Sequence, residues 1–276
     1  MHMVSMGTVW DRTAEFLSDN LGTLLPIALL AIFVPTTISS NLSGLQPTAA
    51  PTTAMLLGLG VFVLALVSFW GQLAVTALAI DPALGRQASQ VATRRFPAAL
   101  LLMILLVVVM LALAIPVGVL LAVGGVDLAS LQGSAMPDIP PSVAIWVFLY
   151  FLIILVLAFW VMARLAVVIP SVVGDRLAIG AIARSWRLTR GVALKIVGVL
   201  ILYAIVSIVA NLAATTAFGA VMYLVAGNGE DGISLASVLT TIVGGAISTG
   251  FTVLGTAFLA KLYIALIARH EAAAGA

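Results

Sequence analysis

The chain has 276 residues, of which 63% are hydrophobic and only 8% charged, with a mean hydropathy of +1.27. A soluble domain carries about 25% charged residues, so this composition excludes a water-soluble globular protein and predicts an all-α, multi-pass membrane protein. Twelve Lys and Arg stand against ten Asp and Glu, and the absence of cysteine excludes disulfides and thiolate metal sites.

Taken in order, residues 4–19 place Met6, Val9, Trp10, Thr13, Phe16 and Leu17 at helical spacing, with Asp11, Arg12, Glu15, Ser18 and Asp19 elsewhere on the wheel. This pattern predicts an amphipathic helix lying on the membrane surface. The N-terminus has no apolar core of signal-peptide type, so no cleaved targeting segment is expected. Span one is read as Leu21 to Ser40, short and holding Pro26 and Pro35; an uncharged loop, 41–53, leads to span two, Ala54 to Ile80. The connector DPALGRQASQVATRRF then carries Asp81, Arg86, Arg94 and Arg95, and Leu84, Ala88, Val91 and Ala92 predict a second short surface helix there.

Span three is expected over Pro97 to Val123, with Pro97 in the first turn, where proline suits a helix start, and Pro116 as a kink. The loop 124–141 contains Asp127 and Asp138 and no basic residue, and span four runs from Ser142 to Ile169. The stretch Arg164 to Lys195 gathers six of the twelve basic residues: Arg164, Arg176, Arg184, Arg187, Arg190 and Lys195. Span five follows over Val192 to Ala226, then the acidic loop GNGEDG, span six from Leu235 to about Ala268, and a polar tail. The loops 41–53, 124–141 and 227–234 hold no Lys or Arg. By the positive-inside rule both termini face the cytoplasm.

A threefold pattern is superimposed on the six spans. The junctions SDNLGTLLPIALL, ATRRFPAALLLMI and RLTRGVALKIVGV can be laid side by side, and Asp81 and Asp175 precede Arg95 and Arg190 by fourteen and fifteen residues. The chain is read as one transmembrane domain of three units, about 4–80, 81–169 and 170–269, each a surface helix plus a helical hairpin. Convergence on a common membrane grammar is the alternative to a true repeat.

The stretch PSVVGDRLAIGAIARSWRLTRGVALKIVG combines a proline, an apolar run, an acidic residue, the short helix RSWRLTRG and an apolar span. It resembles the membrane domain of glycerophosphoryl diester phosphodiesterase-like proteins and related multi-pass bacterial proteins. That resemblance implies a bacterial inner-membrane protein with six helices and cytoplasmic elbow helices. It implies no active site, which in that family belongs to a separate soluble domain. His2 and His270 are the only histidines and stand at the two ends, so no His, Asp and Glu cluster suited to phosphodiester chemistry is expected.

Two groups of candidate site residues follow. Arg176, Arg184, Arg187 and Arg190 are predicted to form one stripe beside an apolar face of Ile179, Ile182 and Trp186, with Arg94 and Arg95 as the counterpart in the second unit. The stripe suits anionic headgroups, each basic residue contributing about 1 kcal/mol near the surface, although topology alone also requires these charges. The second group is intramembrane: Lys261, Arg164, Asn211 and Gln72. Arg164 can snorkel to the surface. Lys261 lies deeper, about 12 Å from Arg269 at roughly 1.5 Å per residue, and calls for a partner such as Asp175 or Asp81. Asn211 and Gln72 either bridge helices or line a polar path, and the small residues of span six, Gly244, Gly245, Ser248, Thr249, Thr252, Gly255 and Thr256, predict close packing.

The reading that results is a non-enzymatic, lipid-interacting membrane protein in envelope organisation or lipid handling. A small-solute or lipid transporter and an anchoring subunit for another protein are the alternatives. Membrane lipids, above all anionic ones, are the expected partners, with a protein partner or a second copy of the chain as further candidates. No cofactor, metal or nucleic acid is expected.

Overall fold

The computed structural model describes residues 5–126, 140–226 and 235–274, so the acidic loop residues Asp127, Asp138, Glu230 and Asp231 lie outside the described residues. Every regular element among the described residues is helical. Six helical stretches are long and apolar enough to cross a membrane: Leu21–Leu45, Pro51–Ile80, Pro82–Val123, Pro141–Gly174, Ala193–Met222 and Ala236–Ala272. The protein is a multi-pass membrane protein.

The first helix, α1 (Met6–Asp19), buries Val9, Thr13 and Phe16 and leaves Asp11, Arg12 and Glu15 exposed. Span one is longer than expected. It comprises α2 (Leu21–Ile27), a π-helical turn (Ala28–Phe33) and α3 (Val34–Leu45). The wide turn has a sequence cause. Pro35 has no N–H to give to Ala31, and the Val34 N–H reaches back to the Leu29 carbonyl instead.

Span two is α4 (Pro51–Ile80), with Gly71 and Leu73 through Ala79 buried. Gly71 permits the closest crossing of span one: a Cβ there would stand 2.8 Å from the Ala31 Cβ and 3.1 Å from its carbonyl oxygen. The separate surface helix expected before span three is absent. A short 3₁₀ segment (Pro82–Gln87) runs into α5 (Ala88–Val123), a continuous helix that holds both Pro97 and Pro116 in its interior. Pro97 is therefore not a helix start.

Span four breaks near its end. α6 (Pro141–Leu165) and α7 (Val168–Gly174) are separated by Ala166 and Val167, one turn before Pro170, whose ring excludes the carbonyl four residues back. α8 (Gly180–Leu188) follows, then α9 (Ala193–Ala226) and α10 (Leu235–Ala274). The predicted polar tail is helical through Ala274.

α4 and α10 are the central helices. α4 packs on α3, α5, α7 and α10, while α10 packs on α1, α3, α4, α8 and α9; α6 joins α5 to α9. The buried core lies where the basic residues are, and its members include Phe16, Leu24, Leu73, Leu78, Ala92, Val172 and Ala257, with Val167, Leu188, Ile196, Leu262 and Leu266 in an adjoining cluster. α7 is wedged there among α4, α5 and α10. Toward the other end the outer surfaces are apolar and exposed, as at Met110, Ile115, Ile145, Phe148, Ile208 and Leu212, which suits contact with lipid.

Candidate functional site at the basic end of the bundle

The break in span four creates the site. Once α6 stops at Leu165, the Arg164 carbonyl is taken up from outside the helix: the Ser185 hydroxyl donates to it at 2.7 Å, while the Thr189 hydroxyl, 3.3 Å from the same carbonyl, makes its shorter donation to the Ser185 carbonyl at 2.9 Å. The Ser185 hydroxyl thus latches α8 to the end of span four. The face of α8 that is buried consists of Ala181, Ser185 and Leu188, spaced i, i+4, i+7. Of the expected apolar face, Ile182 packs against the core, while Ile179 and Trp186 are 56% and 37% exposed on the protein's surface.

Arg164 itself lies between two indoles. Its Cζ is 5.3 Å from the Trp160 ring centroid and 5.5 Å from that of Trp186, and the two rings meet edge to face at 5.0 Å. Trp160 stands one turn before Arg164 on the same helix, a spacing visible in the sequence; the contribution of Trp186 depends on the latch. The Nε and Nη1 atoms of Arg164 are shielded from solvent and have no hydrogen-bond partner among the described residues.

The expected arginine stripe is divided. Arg184 donates through Nε to the Asp175 carboxylate at 2.9 Å, forming a half-buried ion pair, and the Tyr263 phenol packs against the neighbouring Gly174. Arg176 is not on α8 at all: it precedes that helix and adopts φ +59°. Arg187 is the last basic residue of α8, and Arg190 lies beyond it. Arg94, Arg176, Arg187 and Arg190 are exposed and Arg95 is partly buried. Gly191, with φ +82°, turns the chain into α9, a left-handed conformation that favours glycine.

The two aspartates set side by side in the sequence do different work. Asp175 holds Arg184, whereas the Asp81 side chain accepts the Ala83 N–H at 3.1 Å and caps the 3₁₀ segment. Neither is the partner of Lys261. The Lys261 ammonium stands 4.6 Å from the Phe16 ring centroid. Docking of α1 on α10 supplies that partner, and the sequence separation of about 245 residues hides it.

Asn211 bridges helices. Its amide donates to the Gly244 carbonyl at 3.2 Å and to the Ser248 hydroxyl at 2.7 Å, tying α9 to α10. It also borders a recess of 250 Å³ with Thr36, Ser40, Thr215 and Thr240. Gln72 lines a different, larger cavity of 710 Å³ beside Thr36, Ser39, Ser40, Ser43 and Ser68. Lys261 borders neither. The four hydroxyl residues of span one, at i, i+3, i+4 and i+7, are the polar feature that the sequence reading passed over. Among the described residues no three His, Asp or Glu side chains come together.

No curated protein and no solved structure matches the chain. A family profile covers residues 10–266, nearly the whole length and every span, and the chain belongs to the family described as a domain of unknown function (DUF7847).

Proposed function

We propose that this is a non-enzymatic protein of the bacterial cytoplasmic membrane, with both termini in the cytoplasm, that gathers anionic lipids at its cytoplasmic face in envelope organisation or lipid handling. On this reading the six spans form three hairpins, entered by membrane-surface segments, as in the membrane domain of glycerophosphoryl diester phosphodiesterase-like proteins. The observation that carries it is the placement of exposed Arg94, Arg176, Arg187 and Arg190 at one end of a bundle whose flanks are apolar. Each such charge near an anionic surface contributes about 1 kcal/mol.

The test is lipid retention by the purified full-length chain. A variant with Arg94, Arg187 and Arg190 all changed to Gln is expected to lose most of its enrichment for phosphatidylglycerol over phosphatidylcholine. Unchanged enrichment in that variant sinks the proposal. Arg184 is left in place because its removal exposes Asp175 as well.

A second reading, passage of a small neutral solute, draws on the hydroxyl-lined cavities on either side of span one, which share Thr36 and Ser40. Substituting Ser40 and Gln72 by Leu should then abolish uptake into proteoliposomes, and uptake that is absent in the unmodified protein removes this reading. An anchoring role would instead be marked by co-purification of one stoichiometric partner.

A further inference from the structure

The end of span four holds a cation without a counter-ion. Among the described residues no carboxylate pairs with Arg164, and Asp175 is engaged by Arg184. Two of the three guanidinium nitrogens, Nε and Nη1, are closed off from solvent and unbonded. Arg164 as a whole is only partly buried, but closing two of its N–H groups off from water without replacing their hydrogen bonds is unfavourable.

The indoles do not replace them. A ring face attracts the cation as a whole, whereas the N–H donors of a guanidinium radiate in its own plane. With Trp160 and Trp186 against it, that planar edge is the part of Arg164 left without a partner. A planar fork of N–H groups matches two oxygens of a tetrahedral phosphate. The neighbouring Ser185 and Thr189 hydroxyls donate to backbone carbonyls, those of Arg164 and of Ser185, so the anion must be held by the guanidinium.

The depth is right for a headgroup. Arg164 follows Pro141 by about 35 Å of helix at roughly 1.5 Å per residue, against a hydrocarbon core of about 30 Å. Trp160 and Trp186, at 42% and 37% exposure, have the character of interfacial anchors. Trp186 rides on the nine-residue α8.

We propose that Arg164, caged by Trp160 and Trp186, is the receptor for one phosphate group, delivered by a lipid headgroup at the membrane surface. A free phosphate offers the same oxygens. The inference rests on the lipid reading above only for the source of the phosphate.

The experiment uses the full-length chain in two arms. In the first, native mass spectrometry counts the phosphatidylglycerol molecules retained after exchange into that lipid. The unmodified protein is expected to keep one molecule that Arg164→Gln loses, and that the variant lacking Arg94, Arg187 and Arg190 still keeps even where the rest of its enrichment is gone. In the second arm, inorganic phosphate is titrated in lipid-free detergent and read by tryptophan fluorescence. An Arg164-dependent response there, without a retained lipid, supports the site and assigns its phosphate to solution. Arg164→Lys keeps the charge but not the fork, and its affinity should fall by about tenfold or more. Should Arg164→Gln fail to fold, that comparison decides. Equal retention and equal phosphate response in the unmodified protein and the Arg164 variants overturn the proposal.

Discussion

Gly71 has no side chain because Ala31 occupies the space. The intruding atoms would be a Cβ and a backbone carbonyl oxygen, neither of which can swing away, so a methyl group at 71 must push span one off span two. Overpacking of this kind costs about 1–3 kcal/mol, and Gly71→Ala is expected to lower the unfolding midpoint in detergent accordingly. Ala31→Gly in the same chain should restore part of the loss, since it removes the closest atom. Asn211 makes a different kind of contribution. Interhelical hydrogen bonds in membranes average about 0.6 kcal/mol and reach about 1–2, so Asn211→Leu, which removes both bonds to α10, should cost about 1 kcal/mol by the same measurement. A larger loss, or none, would separate it from a helix bridge. Arg176 is the strained residue of the connector, a long side chain at φ +59° where an L-residue pays roughly 1–2 kcal/mol. Arg176→Gly is expected to leave stability unchanged or raise it slightly.

At the scale of elements, the break between α6 and α7 determines what α8 can do. A continuous helix through Pro170 would keep the Arg164 carbonyl inside the hydrogen-bond ladder, and Ser185 would have nothing to grasp. The short α8 has little stability of its own, since isolated helices below about 12–15 residues are marginal. Its position therefore depends on the Ser185 hydroxyl and on Ala181 and Leu188. A single hydrogen bond is worth about 1 kcal/mol, so Ser185→Ala should raise amide exchange across Gly180–Leu188 by about fivefold. Exchange in α4 and α10 should stay as it was. The same variant should loosen Trp186 from Arg164, which links the latch to the proposed phosphate site.

For the whole molecule, the asymmetry of charge is the property to test. Because the chain contains no cysteine, single cysteines can be introduced against a blank background. On the proposed topology, with both termini in the cytoplasm, a cysteine in place of Ala49, between spans one and two, is expected to react with a membrane-impermeant thiol reagent in intact cells. One in place of Ser89, at the start of α5, should react only after lysis. The reverse pattern inverts the proposed topology and with it the face on which lipid is gathered.

The six spans were legible from hydropathy alone, because about 20 apolar residues have few alternatives to crossing a bilayer as a helix. The clustering of basic residues was legible for a similar reason: it is a property of loops counted along the chain. Helix ends were less so. Pro97 satisfies the local rule for a first turn, yet α5 begins nine residues earlier, since Ala88 and Ala92 are buried in the core and packing overrides the local preference. Asn211 could be suspected from its type, but its two acceptors on α10 could not. The sequence by itself determined that the chain is a helical membrane protein with its positive charge on one side. Only the tertiary structure decided which charges are paired, which aromatic face meets Lys261 and which second indole meets Arg164, because each of those contacts joins residues on different helices, and hydrophobic periodicity carries no information about distance between helices.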